Sequence, residues 1–188
     1  MTLLDDIAAC RLCQAHFEHI PSPVIQGSKN AKILIAGQAP SLTVHKTGKL
    51  FNDASGQKLR SWLGVSEQQF YDPALFAIVP MAFCYPGKGK SGDKAPPKLC
   101  AKTWREKVLA EFNHIHLMVL IGQYAQAYHL DSFKNVTDTV QKWQSYMPTQ
   151  IPLPHPSPRN HFWLKRNPWF EINAIPALKK RVSDILMS

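Results

Sequence analysis

Two short apolar runs without polar alternation, Lys32–Gly37 (Lys-Ile-Leu-Ile-Ala-Gly) and Leu117–Gly122 (Leu-Met-Val-Leu-Ile-Gly), set the first limit on how this chain folds. A strand with one wet face alternates apolar and polar residues. A strand covered on both faces does not, and burial on both faces marks a parallel sheet flanked by helices. Leu75–Phe83 and Gln150–Leu153 read as further strands. Helical patterns fall between the strands. Ser55–Leu63 puts Leu59, Trp62 and Leu63 on one face and stops at Gly64. Lys98–Phe112 and Gln123–Leu130 follow the second and third strands, and the tail Glu171–Met187 repeats apolar residues at helical spacing, with Pro176 predicting a break or a late start. Strand and helix alternate, so the expected class is α/β with a short, mainly parallel sheet.

At 188 residues, against about 150 per domain, one compact domain is expected. A hydrophobic fraction of 45% supplies a core and excludes disorder as the main state. No apolar run reaches the roughly 18 residues of a membrane span. The opening Met-Thr-Leu-Leu-Asp-Asp-Ile lacks a basic stretch before an apolar one, so no secretory signal and a cytoplasmic location are expected.

In a parallel α/β sheet, ligands gather where the strands end. Three unusual segments begin there and are expected to meet around one crevice: Gly37-Gln38-Ala39-Pro40-Ser41, Cys84-Tyr85-Pro86-Gly87-Lys88 and His155-Pro156-Ser157-Pro158-Arg159-Asn160. Ile20–Gly27 and Pro86–Pro97 read as loops, the second long enough to be functional. Charge points to an anionic partner: 22 Lys and Arg stand against 13 Asp and Glu, a net +9. The excess is local. Lys88, Lys90, Lys94, Lys98, Lys102 and Arg105 lie in a stretch whose one acid before Arg105 is Asp93. Arg159, Lys165 and Arg166 are interleaved with Phe162, Trp163, Trp169 and Phe170. Bases that neutralise phosphates beside rings that stack on nucleobases suit nucleic acid. Trp163, Trp169 and Phe170 also suit packing for the final helix, and Lys88, Lys90 and Lys94 suit either phosphate contact or a solvated surface.

All four cysteines fall in two pairs, Cys10 with Cys13 and Cys84 with Cys100. In a reducing compartment disulfides are disfavoured, and two pairs with none left over point to a metal site. Zinc and a [4Fe–4S] cluster both accept four thiolates, and spacing does not separate them. Either would have a structural role, tying the N-terminal helix to the loop after the second strand.

Taken together these residues resemble the uracil-DNA glycosylase superfamily over most of the chain. Gly37-Gln38-Ala39-Pro40 is similar to its first motif, Gly48-Lys49-Leu50-Phe51 to the following segment whose ring stacks on the base, and His155-Pro156-Ser157-Pro158 to its second motif. The extension Arg159-Asn160 resembles the single-strand-selective monofunctional branch, whereas the cysteine spacing resembles the iron–sulfur branch. The resemblance implies a single-domain three-layer α/β/α sandwich with a four-stranded sheet, and hydrolysis of the N-glycosidic bond of uracil or a related deaminated base in single- or double-stranded DNA. It implies a [4Fe–4S] cluster on Cys10, Cys13, Cys84 and Cys100, with zinc the alternative. It assigns catalysis to His155 and Gln38, base binding to Ala39, Pro40, Phe51 and Tyr85, and DNA contact to Ser157, Arg159, Asn160, Lys88 and Lys90. A monomer is expected.

Two departures from the pattern bear on chemistry. Ala39 and Ser41-Leu42-Thr43-Val44 hold no carboxylate where active members often place one, and Asp53 and His45 are weak substitutes: Asp53 is expected to cap a helix and His45 to lie in an exposed loop. No Asn lies between Asp53 and Phe112 to read the base, which leaves Tyr85, Ser91 or a backbone group for that task. Uracil therefore leads, with hypoxanthine and xanthine open. A metal-stapled DNA-binding module of the same fold, without the chemistry, is the competing expectation.

Overall fold

The computed structural model describes residues 2–188. Six strands and ten α-helices follow in the order α1 (Leu3–Ala8), β1 (Ile33–Ala36), α2 (Leu42–Thr47), α3 (Ala54–Leu63), α4 (Glu67–Phe70), β2 (Phe76–Ile78), β3 (Lys88–Gly89), β4 (Gly92–Asp93), α5 (Lys98–Glu111), β5 (Leu117–Ile121), α6 (Gly122–His129), α7 (Val136–Gln141), α8 (Trp143–Tyr146), β6 (Gln150–Leu153), α9 (His161–Arg166) and α10 (Ile175–Met187). Four strands form one sheet in the order β2-β1-β5-β6. Each neighbouring pair is parallel, with Ile33 opposite Phe76 and Leu117, and Val119 opposite Ile151. Pro152 is tolerated in β6 because that strand lies at the edge.

Both faces of the sheet are dry, as the unbroken apolar runs require. Ile33, Ile35, Phe76, Ile78, Leu117 and Val119 point to one side, against Leu59, Trp62 and Leu63 of α3 and Leu178, Val182 and Ile185 of α10. Leu34, Ala36, Ala77 and Leu120 point to the other, against Ile7 of α1, Val108 of α5 and Ala125 of α6. The result is an α/β/α sandwich. Among the described residues no helix is long and apolar enough to cross a membrane.

Three expectations need correction. The second strand ends at Ile78 rather than Phe83, because Pro80 lacks the N–H that would continue the ladder. Beyond it Met81 and Ala82 still donate to the carbonyls of Gly37 and Gln38, at 2.8 and 3.2 Å, which pins the first motif. Pro86–Pro97 is not plain loop: it contains the antiparallel pair β3–β4, with Lys88 opposite Asp93. His45 is not in an exposed loop either. It sits on α2, half-buried, 4.7 Å from the His19 ring, because the short helix turns it inward. At the tail, Pro176 is the second residue of α10, which continues directly from a π-helical segment, Phe170–Ala174, so the helical backbone is not broken at the proline. Trp163 and Trp169 pack edge-on to Phe170 at 5.6 and 6.1 Å, as core rather than as a stacking platform.

Candidate active site

The ends of β1 and β6 and the β3–β4 hairpin border one cleft of about 440 Å³, lined among others by Gln38, Ala39, Pro40, Phe51, Asp53, Asp93 and His155. That volume lies within the roughly 300–1,000 Å³ usual for small-molecule sites. Past His155 it meets a second lobe of about 470 Å³, lined by Asn135, Thr137, Asn160 and Trp163. His155 belongs to both lobes and stands between them.

The turn after β6 orients the imidazole. The Ser157 N–H donates to His155 Nδ1 at 3.1 Å, and the Asn160 amide donates to the His155 carbonyl at 2.7 Å. Ser157 Oγ in turn accepts from the Arg159 N–H at 3.2 Å. With Nδ1 an acceptor, the ring proton is assigned to Nε2. The residue is exposed to the cleft, but desolvation of its ring there lowers the imidazole pKa from its ordinary value, against the pull of the nearby Asp53 carboxylate, which favours the neutral ring at pH 7. His155 is therefore an Nε2–H donor on the cleft wall.

Phe51 is the one non-glycine residue with positive φ among those described, at 53°. A left-handed conformation costs a non-glycine residue about 1–2 kcal/mol, so its surroundings must impose it. They do so from α3. The Asp53 carboxylate caps the helix by accepting from the Gly56 N–H at 3.0 Å, and Arg60 Nη1 reaches the Phe51 carbonyl at 3.4 Å. Gly56 lets the two backbones meet: a Cβ there would stand 1.7 Å from Phe51 O. The ring lies edge-on to Phe70, 6.1 Å between centroids, and its tip would be 3.7 Å from a Cβ on Gly37. First motif and aromatic residue are thus neighbours.

The sequence model of the uracil DNA glycosylase superfamily matches residues 24–179. The chain belongs to that superfamily. The family is one of glycosylases that act on DNA. A solution NMR structure of a protein from Methanosarcina acetivorans, provisionally assigned as a uracil DNA glycosylase, superposes with a TM-score of 0.50 at 14% identity, covering 85% of this chain and 98% of that one. At that identity the likeness concerns the fold.

Among the residues expected at a glycosylase site, Gln38, Ala39, Pro40, Phe51 and His155 come together in the cleft. The Gln38 amide is already engaged, donating to the Lys94 carbonyl at 3.1 Å and tying the hairpin to the first motif. Tyr85 does not join them. It is 7% exposed and packs beside His19 and His45, 5.4 and 6.1 Å away, because the chain turns inward before the hairpin begins. Asn160 holds the turn through its amide, so that group is not free to enter a duplex in this conformation. Arg159, Lys88 and Lys90 are exposed, with Arg159 and Lys88 within electrostatic reach of Asp93.

Ser91, named from the sequence as a candidate base reader, lines the cleft, whereas sequence reasoning missed Asp93, Gln123 and Tyr124 as cleft residues. For Asp93 a signal existed, a lone acid inside a strongly basic stretch. For Gln123 and Tyr124, on the first turn of α6, none did.

The four cysteines share a second, smaller cavity with Leu12, Phe17, Phe83, Pro97 and Trp104. All are free thiols. Burial and the other cysteines push Cys84 up to about 12 and Cys100 to about 11, the latter although it accepts from the Phe83 N–H at 3.4 Å. Among the described residues no three His, Cys, Asp or Glu side chains form a ligand group for a single ion.

Proposed function

We propose that this protein is a base-excision glycosylase that hydrolyses the N-glycosidic bond of uracil, or of a related deaminated base, turned out of a DNA strand into the cleft. The observation that carries the reading is the His155 ring: neutral, oriented by the Ser157 N–H, and placed at the wall of a cleft that also holds Phe51 and the first motif. Departure of the base leaves negative charge on it, and a preorganised donor aimed at a base oxygen lowers that barrier as an oxyanion hole does. The His155 Nε2–H fills this role without first losing a proton to solvent. Phe51, held by its turn, offers a ring face, and stacking is worth about 1–3 kcal/mol per base. Arg159, Lys88 and Lys90 are exposed on segments that border the cleft and suit phosphate contacts. Ser91, Gln123 and Tyr124 are the polar groups available to read the base edge.

The deciding experiment incubates the protein with oligonucleotides carrying uracil, hypoxanthine or xanthine, then treats them with alkali and looks for strand breaks. Breaks at uracil support the leading substrate. Breaks only at hypoxanthine or xanthine move the assignment to that base. Binding without breaks at any base supports the DNA-binding module, a reading favoured by the missing carboxylate in Gly37–Val44.

We further propose that the four cysteines hold a [4Fe–4S] cluster, with zinc the alternative. Four thiols line one small apolar cavity, where burial first and the neighbouring cysteines second disfavour the thiolates, a cost that binding to a cationic iron core would relieve. When bound, the group supplies metal–thiolate links joining Cys10 and Cys13 to Cys84 and to Cys100 on α5. Protein purified under low oxygen should be brown and contain iron and acid-labile sulfide. A colourless preparation with stoichiometric zinc would replace the cluster by zinc.

A further inference from the structure

We infer that Asp93 is a catalytic carboxylate of the cleft, which holds the attacking water and takes its proton as the bond between sugar and base breaks. The inference rests on the glycosylase reading and fills the role that the first motif, with Ala39 and no acid through Val44, leaves vacant.

Position comes first. Asp93 lines the same cleft as His155 and Phe51, although it is far from both in sequence. Its backbone is held twice over. Pairing with Lys88 across the hairpin sets its strand, and the next residue, Lys94, donates its N–H to the Gly87 carbonyl at 2.8 Å while its own carbonyl accepts from Gln38 at 3.1 Å. A side chain on so short a hairpin is placed by those anchors rather than by chance.

The two carboxylates of the cleft are not equivalent. Asp53 Oδ1 is committed to the Gly56 N–H as a helix cap. Among the described residues, the Asp93 carboxylate accepts no hydrogen bond and enters no ion pair within 4 Å, so it is available to a water.

Electrostatics make its presence informative. DNA is a polyanion, and a negative charge in the cleft opposes its binding, while Lys88, Lys90 and Arg159 nearby favour it. A carboxylate there is counterproductive for affinity. It becomes useful only where positive charge develops, and that is at the sugar as the base departs. Asp93 is exposed to the cleft, and partial desolvation there holds its carboxyl above the usual carboxylate range despite Arg159 and Lys88, which makes it a better proton acceptor than an unperturbed aspartate.

The step balances with water as the only co-reactant. The bond from C1′ to the base nitrogen breaks, and its electron pair leaves with the base, steadied by His155. The water oxygen bonds to C1′ and one water proton passes to Asp93. The base anion takes up a proton from solvent, and Asp93 returns its own to solvent.

The test is Asp93→Asn, measured two ways. Single-turnover excision from a uracil oligonucleotide should fall by about 10²–10⁴-fold, the usual contribution of a positioned acid–base group. Binding to the same sequence carrying non-hydrolysable 2′-fluoro-deoxyuridine should stay equal or tighten, because a negative charge has gone. An equal excision rate in a wild-type protein that cleaves uracil would overturn the role of Asp93 alone. Loss of rate matched by loss of analogue binding would make Asp93 a structural residue and also overturn it. A wild-type protein that cleaves no deaminated base would remove the glycosylase reading and this role together.

Discussion

Replacing Gly56 by alanine should displace Phe51, and the size of the effect follows from two opposed contributions. Gly56 lies in the first turn of α3, where helix propensity alone favours alanine by roughly 0.8–1.0 kcal/mol. Against this, the new Cβ would stand 1.7 Å from Phe51 O and 2.6 Å from Phe51 C, both backbone atoms that cannot rotate aside. Overpacking in a well-packed site costs typically about 1–3 kcal/mol even when side chains can adjust. Moving Gly56 also disturbs the Asp53 cap, and caps are worth about 0.5–2 kcal/mol. The clash wins, and net destabilisation should be about 1–4 kcal/mol. At roughly 2–4 °C per kcal/mol for a chain of this size, calorimetry should record a lower Tm. The functional readout should be separate: a shifted Phe51 forfeits its stacking of about 1–3 kcal/mol, so excision efficiency should fall on the order of 5- to 150-fold. Gly37→Ala is the control, since its Cβ would meet only the Phe51 ring tip at an ordinary 3.7 Å and its Tm should hardly move. A Gly56→Ala protein with unchanged or raised Tm and full excision would refute the argument that Gly56 permits, and α3 enforces, the left-handed Phe51.

Three further outcomes are expected. His155→Ala should slow single-turnover excision by roughly 10²–10³-fold, the loss found on removing one oxyanion-type donor; an unchanged rate would take His155 out of the chemistry. Arg159→Ala should weaken DNA binding and reduce the slope of log affinity against log salt by about 0.9, the value for one lost phosphate contact on duplex DNA; an identical slope would move Arg159 off the interface. His129 accepts from Arg105 Nε at 3.0 Å, and burial followed by that guanidinium lowers its pKa from 6.5 to about 3. Between those values the unfolded chain binds the extra proton, so stability should be intact above pH 6.5 and fall as pH drops toward 3. His129→Gln, which keeps an acceptor but cannot titrate, should flatten that fall in denaturant titrations, and an unaltered pH profile would show that His129 does not govern it.

The layered architecture was legible because unbroken apolar runs such as Ile33–Ala36 and Leu117–Ile121 have few other ways to be satisfied than between two layers of helix. The cleft was legible in part, through residues that announce themselves by adjacency: Gly37-Gln38-Ala39-Pro40 and His155-Pro156-Ser157-Pro158. Tyr85 was misplaced because it follows a strand whose end was read five residues too late. Past Pro80 the chain no longer alternates across a sheet, and the direction of a ring there is set by what it packs on, here His19 and His45.

Local chemistry along the chain was enough to establish the sheet, its buried faces, the capping of α3 by Asp53 and the pairing of the cysteines into two sets. Those properties depend on neighbours a few residues apart, which a linear reading contains. Folding had to bring Asp93 to the same cleft as His155, engage the Gln38 amide with Lys94, turn Phe51 left-handed over Gly56 and close Cys10 and Cys13 onto Cys84 and Cys100. Each of these joins groups well separated along the chain or depends on a contact at atomic range, and no periodicity encodes such meetings. Charge, tautomer and reach at the cleft follow from those contacts, and the chemistry follows from them in turn.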